Sequence, residues 1–119
     1  MEFTEPRMNC AIDATMSLIE GRWKTVILCR LYREDRPLRF SELSSGIENI
    51  SSRILSKQLK EMEKDGLITR SVYPEVPVRV EYALTEKAHS LMPIMKMMAE
   101  WGLNNAFSNR VKFDDSILV

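Results

Sequence analysis

The sequence predicts a mainly α-helical fold of the α+β class, with helices packed around a small three-stranded sheet. Apolar residues recur at helical spacing up to about residue 66 and again after residue 85. Between residues 67 and 84 the apolar period changes from 3.6 to about 2, which is typical of strands. The chain has 119 residues, of which 45% are hydrophobic, so we expect one domain with a substantial core.

The clearest predicted helix runs from Ile50 to Gly66. Ser51 can cap its first free amides, and Gly66 suits the left-handed turn that follows its last residue. Its apolar stripe consists of Ile54, Leu55, Leu59 and Met62. As far as Lys60, its opposite face carries hydroxyls and positive charges without an acidic residue: Ser52, Arg53, Ser56, Lys57 and Lys60. The acidic residues of the helix, Glu61, Glu63 and Asp65, all come after Lys60. A helix of this width fits the major groove of duplex DNA, although most amphipathic helices present such a face only to solvent.

The residues before this helix predict two further helices, one beginning at Cys10 and one spanning residues 23–33. Residues 38–40 are too few for a helix and are expected to form a short strand. Ser41 is then expected to cap a short helix over residues 42–45. A short helix, a turn and a longer amphipathic helix with a polar front constitute a helix-turn-helix.

Residues 67–73 and 78–84 predict two strands joined by a proline-containing turn, which indicates a hairpin. Because an isolated hairpin is marginal in water, we expect residues 38–40 to add a third strand. A hairpin that directly follows a helix-turn-helix is a wing. Arg79 lies beside the predicted tip of this wing, where its charge is placed for a phosphate or the minor groove.

Thr85 is expected to cap the last long helix. The apolar stripe of this helix consists of Leu91, Ile94, Met95, Met98 and Trp101. Pro93 falls inside the pattern, so we expect a kink or a break near Ser90.

The charge distribution says more than the formal net charge, which is zero. Residues 21–87 hold thirteen basic and ten acidic side chains, an excess of three positive charges in the segment with the central helix.

Only two cysteines and one histidine are present, which excludes the usual structural zinc patterns and a disulfide framework. No signal peptide or membrane span is evident, so a cytoplasmic location is expected. No catalytic constellation or phosphate loop is visible, and we expect neither an enzyme nor a bound cofactor or metal.

Taken in order, these segments resemble the HxlR-type winged helix-turn-helix regulators of bacteria, distant relatives of the MarR group. The resemblance spans about residues 10–102 and is carried by Cys10, residues 18–24, 38–43, 50–68 and 76–85, and Trp101. It implies a homodimer that binds operator DNA and responds to a small molecule or an oxidant. We expect residues 1–9 to form an arm, residues 10–108 the DNA-binding domain, and residues 109–119 a tail.

The polar face of the central helix supplies the candidate DNA contacts. Arg53 is the best candidate for a guanine, because its guanidinium can pair with O6 and N7 together. Lys60 is expected to meet the backbone, and Ser41 a phosphate at a helix start. The full set of predicted DNA-binding residues is Ser41, Ser51, Ser52, Arg53, Ser56, Lys57, Lys60 and Arg79. A winged helix that instead contacts a protein partner is the alternative.

Two further expectations concern assembly and signalling. The predicted dimer interface joins the first and last helices and consists of Ile12, Met16, Leu91, Met95, Met98 and Trp101, with ordinary core packing as the alternative.

Some members of the HxlR-type family, which this chain resembles, sense oxidants or electrophiles with a cysteine at the position of Cys10. Cys10 starts a helix and has Arg7 nearby in sequence, both of which favour a thiolate. The opposing observation is that free cysteines are usually buried and inert, as Cys29 is expected to be.

Overall fold

A computed structural model describes residues 10–106. In this range the chain forms five helices and one three-stranded sheet, which confirms the predicted fold class. The helices are α1 (Ala11–Ile19), α2 (Lys24–Glu34), α3 (Phe40–Gly46), α4 (Ser52–Lys64) and α5 (Glu86–Asn105), and the strands are β1 (Leu38–Arg39), β2 (Ile68–Tyr73) and β3 (Arg79–Leu84). The predicted arm and tail lie outside the described residues. None of the helices within residues 10–106 is long and apolar enough to span a membrane.

The sheet is antiparallel with the strand order β1-β3-β2, so the third strand lies where the sequence predicted it. In β3, Tyr82 is paired with Leu38 on one side and with Arg70 on the other. Because side chains alternate across a strand, Leu38, Tyr82 and Arg70 share one face of the sheet. Leu38 and Tyr82 are buried, which shows that this face is turned towards the helices.

The core lies between α2, α4, the start of the wing and the first half of α5. The apolar side chains that are less than 2% exposed are Ile27, Leu28, Leu38, Leu43, Leu55, Leu59, Met62, Leu67, Ile68 and Met92. They come from α2, β1, α3, α4, β2 and α5 and from Leu67, so α4 packs into a core that most of the elements share. Ile54, which the sequence placed in the apolar stripe of α4, is 37% exposed.

The start and end of α4 are formed as the sequence predicted. The Ser51 hydroxyl accepts a hydrogen bond from the Ile54 amide at 3.1 Å. At the other end Gly66 has a φ of 78°, and the amides of Gly66 and Leu67 donate to Glu63 and Met62 carbonyls. This is a Schellman ending. It turns the chain directly into β2 and so sets the position of the wing relative to α4.

Three details differ from the prediction. The short helix α3 begins at Phe40 with Arg39 as its N-cap, and Ser41 lies inside its first turn. The predicted cap at Ser41 is therefore wrong. The carboxylate of Glu42, which lies inside the first turn, instead accepts a hydrogen bond from the Arg39 amide at 2.9 Å. A break near Ser90 is also wrong, because α5 is one helix from Glu86 to Asn105, whereas the alternative of a kink there stays a prediction. Pro93 is exposed, while the buried residues Leu91, Met92 and Met95 on either side of it hold the first half of α5 on the core.

Candidate nucleic-acid interface

The polar face of α4 is open to solvent and positively charged. Arg53, Lys57 and Lys60 are all exposed, and within residues 10–106 none of the three forms a salt bridge. Ser52 is exposed beside them, and Ser56 is half-buried. The Ser51 oxygen is used as the helix cap, which leaves its proton free to donate. This face can therefore offer cations and hydroxyl donors to an anionic surface without first breaking an ion pair.

An ion pair behind α4 fixes the helix against α2. Lys24 Nζ lies 3.0 Å from Glu61 Oε1, and Lys24 is 8% exposed overall. The hydrogen bond from Lys24 lowers the pKa of the Glu61 carboxyl, and the positive charge of Lys24 contributes further. The sequence analysis missed this pair. The signal was present, because Lys24 falls on the same stripe of α2 as Ile27 and Leu31, and a charge in an apolar stripe needs a partner.

A second contact holds the turn between α3 and α4. Arg30 donates a 2.6 Å hydrogen bond to the Gly46 carbonyl and also pairs with Glu34. A Cβ at Gly46 would lie 2.5 Å from the Arg30 guanidinium. Glycine at this position therefore lets the arginine reach the backbone of the turn.

The start of α3 carries a negative charge next to Ser41. Ser41 is exposed, but the neighbouring Glu42 lies in the same first turn and pairs with Arg36 at 2.8 Å. This hydrogen bond, followed by the one from the Arg39 amide, lowers the pKa of Glu42. The negative charge of Glu42 in this first turn would repel a phosphate, which weakens Ser41 as a phosphate contact.

The wing arginine that the sequence singled out is paired on the wing itself. Arg79 lies 2.8 Å from Glu75 and 2.7 Å from Glu81, and its guanidinium stacks 3.9 Å above the Tyr73 ring. The Glu75 and Glu81 hydrogen bonds raise the pKa of Arg79. The charge that was expected to project is thus compensated by two carboxylates. The exposed side chains at the tip include Val76 and Val78 instead.

Another arginine, which the sequence analysis did not single out, lies between the wing and α4. An open cleft of about 380 Å³ separates these two elements. Its lining residues are Ser56, Leu59, Lys60, Glu63, Arg70 and Tyr82. Arg70 is exposed and forms no salt bridge within residues 10–106. No sequence pattern singles out Arg70, because only the fold shows that it lies on the face of the ribbon that is turned towards α4.

The predicted dimer residues fall into two groups. Ile12, Met16, Met98 and Trp101 are between 39% and 71% exposed, whereas Leu91 and Met95 are each 8% exposed and belong to the core of the single chain. The exposed members lie on α1 and on the second half of α5, and Ile94 and Met97 of α5 are exposed as well. Leu91 and Met95 therefore have little surface left for a partner.

The two cysteines have different environments. Cys10 is the N-cap residue of α1 and is exposed, with a free thiol. Cys29 packs against the core, and burial raises the pKa of its thiol. Arg7, which was expected to favour a Cys10 thiolate, lies outside the described residues.

Comparison with known proteins agrees with the winged helix-turn-helix arrangement of α3, α4 and the hairpin. Residues 18–110 match the HxlR-like helix-turn-helix family. An HTH-type transcriptional regulator of Halalkalibacterium halodurans is 53% identical over 91 residues, which are 76% of this chain and 80% of that protein.

Two solved structures of regulators show similar folds. The redox regulator HypR in its reduced form matches with a TM-score of 0.74 and 38% identity, over 82% of this chain and 94% of HypR. The reduced transcriptional regulator YodB of Bacillus subtilis matches with a TM-score of 0.72 and 34% identity, over 89% of this chain and all of YodB. The winged fold, the exposed basic helix and these matches together show that the chain belongs to the HxlR-like helix-turn-helix family of DNA-binding transcriptional regulators.

Proposed function

We propose that the protein is a homodimeric, sequence-specific regulator that inserts α4 into the major groove of a palindromic operator. The observation that carries this proposal is the exposed face of α4, where Arg53, Lys57 and Lys60 have no salt-bridge partner in the described part of the chain. Phosphate contacts position a protein on DNA, and contacts to base edges give specificity.

Different roles follow from position along α4. Arg53, Ser52 and Ser56 occupy the N-terminal half, which is the part of a recognition helix that contacts base edges. Arg53 is assigned to a guanine, since a guanidinium can donate to O6 and N7 together. Lys60 is more than one turn further along and is assigned to the sugar-phosphate backbone. Ser51 and Lys57 complete the contact face.

Dimer formation through α1 and α5 would give the protein two recognition helices. Two half-sites on one face of B-DNA lie about 34–36 Å apart. The exposed apolar side chains support this assembly and are the proposed interface: Ile12, Met16, Met98 and Trp101, with Leu91 and Met95 behind them in the core. Several large apolar side chains exposed on two helices are more typical of an interaction site than of a surface that faces water.

The proposed input is a redox or electrophile signal at Cys10, or a small molecule. Cys10 is exposed and begins α1, which is one of the two proposed dimer helices. A change in size or charge at this thiol would therefore act where two copies meet. HypR is described by name as a redox regulator, which supports this proposal by similarity.

Selection of DNA followed by a mobility shift tests the DNA-binding proposal. Fragments retained by the purified protein are sequenced, and the enriched fragment is then shifted with and without excess random duplex. We expect the complex to survive the competitor, and the double variant Arg53→Gln, Lys57→Gln to lose it while unfolding at the wild-type temperature. Absence of any enriched fragment would refute sequence-specific binding and favour a protein-interaction module.

A further inference from the structure

We propose that the cleft between α4 and β2 is a binding site for a DNA backbone phosphate, held by Lys60 and Arg70. Arg70 rather than Arg79 is then the wing residue that contacts the backbone. This inference rests on the proposed insertion of α4 into DNA, and adds to it a site and a residue that the polar face of α4 alone does not supply.

The register of the hairpin separates the two arginines. Arg70 is paired with Tyr82, and Tyr73 is paired with Arg79. Residues directly opposite each other point to the same side, and successive residues alternate. Arg70 and Arg79 therefore lie on opposite faces of the ribbon, and only the face with Arg70 is turned towards α4.

The two arginines also differ in electrostatic state. Arg79 would have to leave Glu75, Glu81 and the Tyr73 ring before it could bind a phosphate. Arg70 has no such contact among residues 10–106. Binding through Arg70 thus gains an ion pair without losing one, whereas binding through Arg79 exchanges one set of partners for another.

The cleft places a second cation and a hydroxyl opposite Arg70. Lys60 and Ser56 line its α4 side, and Glu63 lines it as well. Glu63 forms a salt bridge with neither cation, so the cleft holds two positive charges and one negative charge. A phosphodiester seated there would be approached by cations from α4 and from the wing at once. The carboxylate of Glu63 would oppose it.

The salt dependence of binding distinguishes this assignment from its rivals. Each phosphate contact releases counterions, so the slope of log K against log salt is negative, and its magnitude falls by about 0.9 for every contact that is lost. Anisotropy of a labelled random duplex, titrated between about 50 and 200 mM salt, measures this slope without knowledge of the operator. The variants are Arg70→Gln, Arg79→Gln as the matched control, Arg70→Lys and Glu63→Gln.

We expect Arg70→Gln to reduce the magnitude of the slope by about 0.9, and Arg79→Gln to leave it unchanged. Arg70→Lys should restore the slope, because the charge is kept. Glu63→Gln should tighten binding about two- to fivefold at the lowest salt, as expected for removal of one exposed like charge. Thermal unfolding of Arg70→Gln should match the wild type, since no salt bridge is lost.

Two results would overturn the assignment while leaving DNA binding intact: an Arg70→Gln slope equal to the wild-type slope, or an equal loss of slope in Arg79→Gln. A wild-type protein that shows no salt-dependent binding to duplex would refute the proposed DNA insertion itself, and the phosphate site with it.

Discussion

Lys24 and Glu61 join α2 to the second half of α4 through an ion pair whose Nζ and Oε1 atoms are 3.0 Å apart. The two residues differ in exposure, since the Lys24 side chain is 10% exposed and that of Glu61 is 40% exposed. The ammonium has therefore given up most of its water, and the carboxylate has not. This asymmetry makes the effects of the two single substitutions unequal.

Glu61→Gln should destabilise the protein by about 1–2 kcal/mol, because it leaves the ammonium of Lys24 without its anion. This is less than the about 3–5 kcal/mol expected for a fully buried pair, since Glu61 is partly solvated. Lys24→Met should cost less than about 1 kcal/mol, because the apolar stem is retained and Glu61 can be hydrated. Urea unfolding measures both values. A larger loss in Lys24→Met than in Glu61→Gln would contradict this account.

The same pair predicts a pH dependence of stability. The pKa of Glu61 is lowered from its ordinary value of 4.5 by the Lys24 hydrogen bond, so the unfolded chain takes up this proton first as the pH falls. The stabilisation is present in full above about pH 4.5 and is lost as the pH falls through the lowered pKa. Urea unfolding between about pH 3 and 6 should show a smaller decline for Glu61→Gln than for the wild type. Glu63→Gln is the control, and its curve should run parallel to the wild-type curve.

Arg53 and Lys60 should differ in what they recognise. Arg53→Ala should weaken operator binding by about 1–3 kcal/mol and relax the preference at one base position. Lys60→Ala should weaken binding to all sequences alike, since a phosphate contact carries no base information. Titration of both variants against operator and random duplex separates the two effects. Equal losses on both DNAs for Arg53→Ala would remove it as a base contact.

Trp101→Ala should shift the protein from dimer towards monomer. Trp101 is 65% exposed on α5, so its truncation should hardly affect the fold of one chain, whereas buried tryptophans often dominate interfaces. Sedimentation at micromolar concentration should show a dimer for the wild type and an at least roughly tenfold weaker dimer for the variant. Val76→Ala, an exposed apolar residue at the wing tip, serves as the control. A monomeric wild type would rule out the proposed interface.

Cys10→Ser should bind DNA as the wild type does and should no longer respond to an oxidant. The reason is that Cys10 is exposed, whereas burial raises the pKa of Cys29 and keeps that thiol protonated. Mobility shifts before and after mild oxidation measure the response. Cys29→Ala is the control and should keep it; an unchanged response in Cys10→Ser would place the sensor elsewhere.

Features that depend on neighbours in sequence were predictable. The Ser51 cap and the Gly66 ending of α4 involve residues within one or two turns. The change in the spacing of apolar residues at residue 67 predicts the strands of the wing. The start of α3 was not predictable in detail, because Ser41 and Glu42 can each satisfy free amides. The structure uses the Glu42 carboxylate, which also pairs with Arg36.

A capped, basic helix followed by a two-stranded wing could be predicted from the sequence alone, because caps, stripes and strand periods are local properties. Which charges remain available depends instead on the packing of the folded chain. Arg79 is compensated by carboxylates that the hairpin brings beside it, Arg70 faces α4 across a cleft, and Lys24 finds its partner in Glu61 on another helix. Packing of elements far apart in the chain sets these contacts, and no local pattern encodes which side chains will meet.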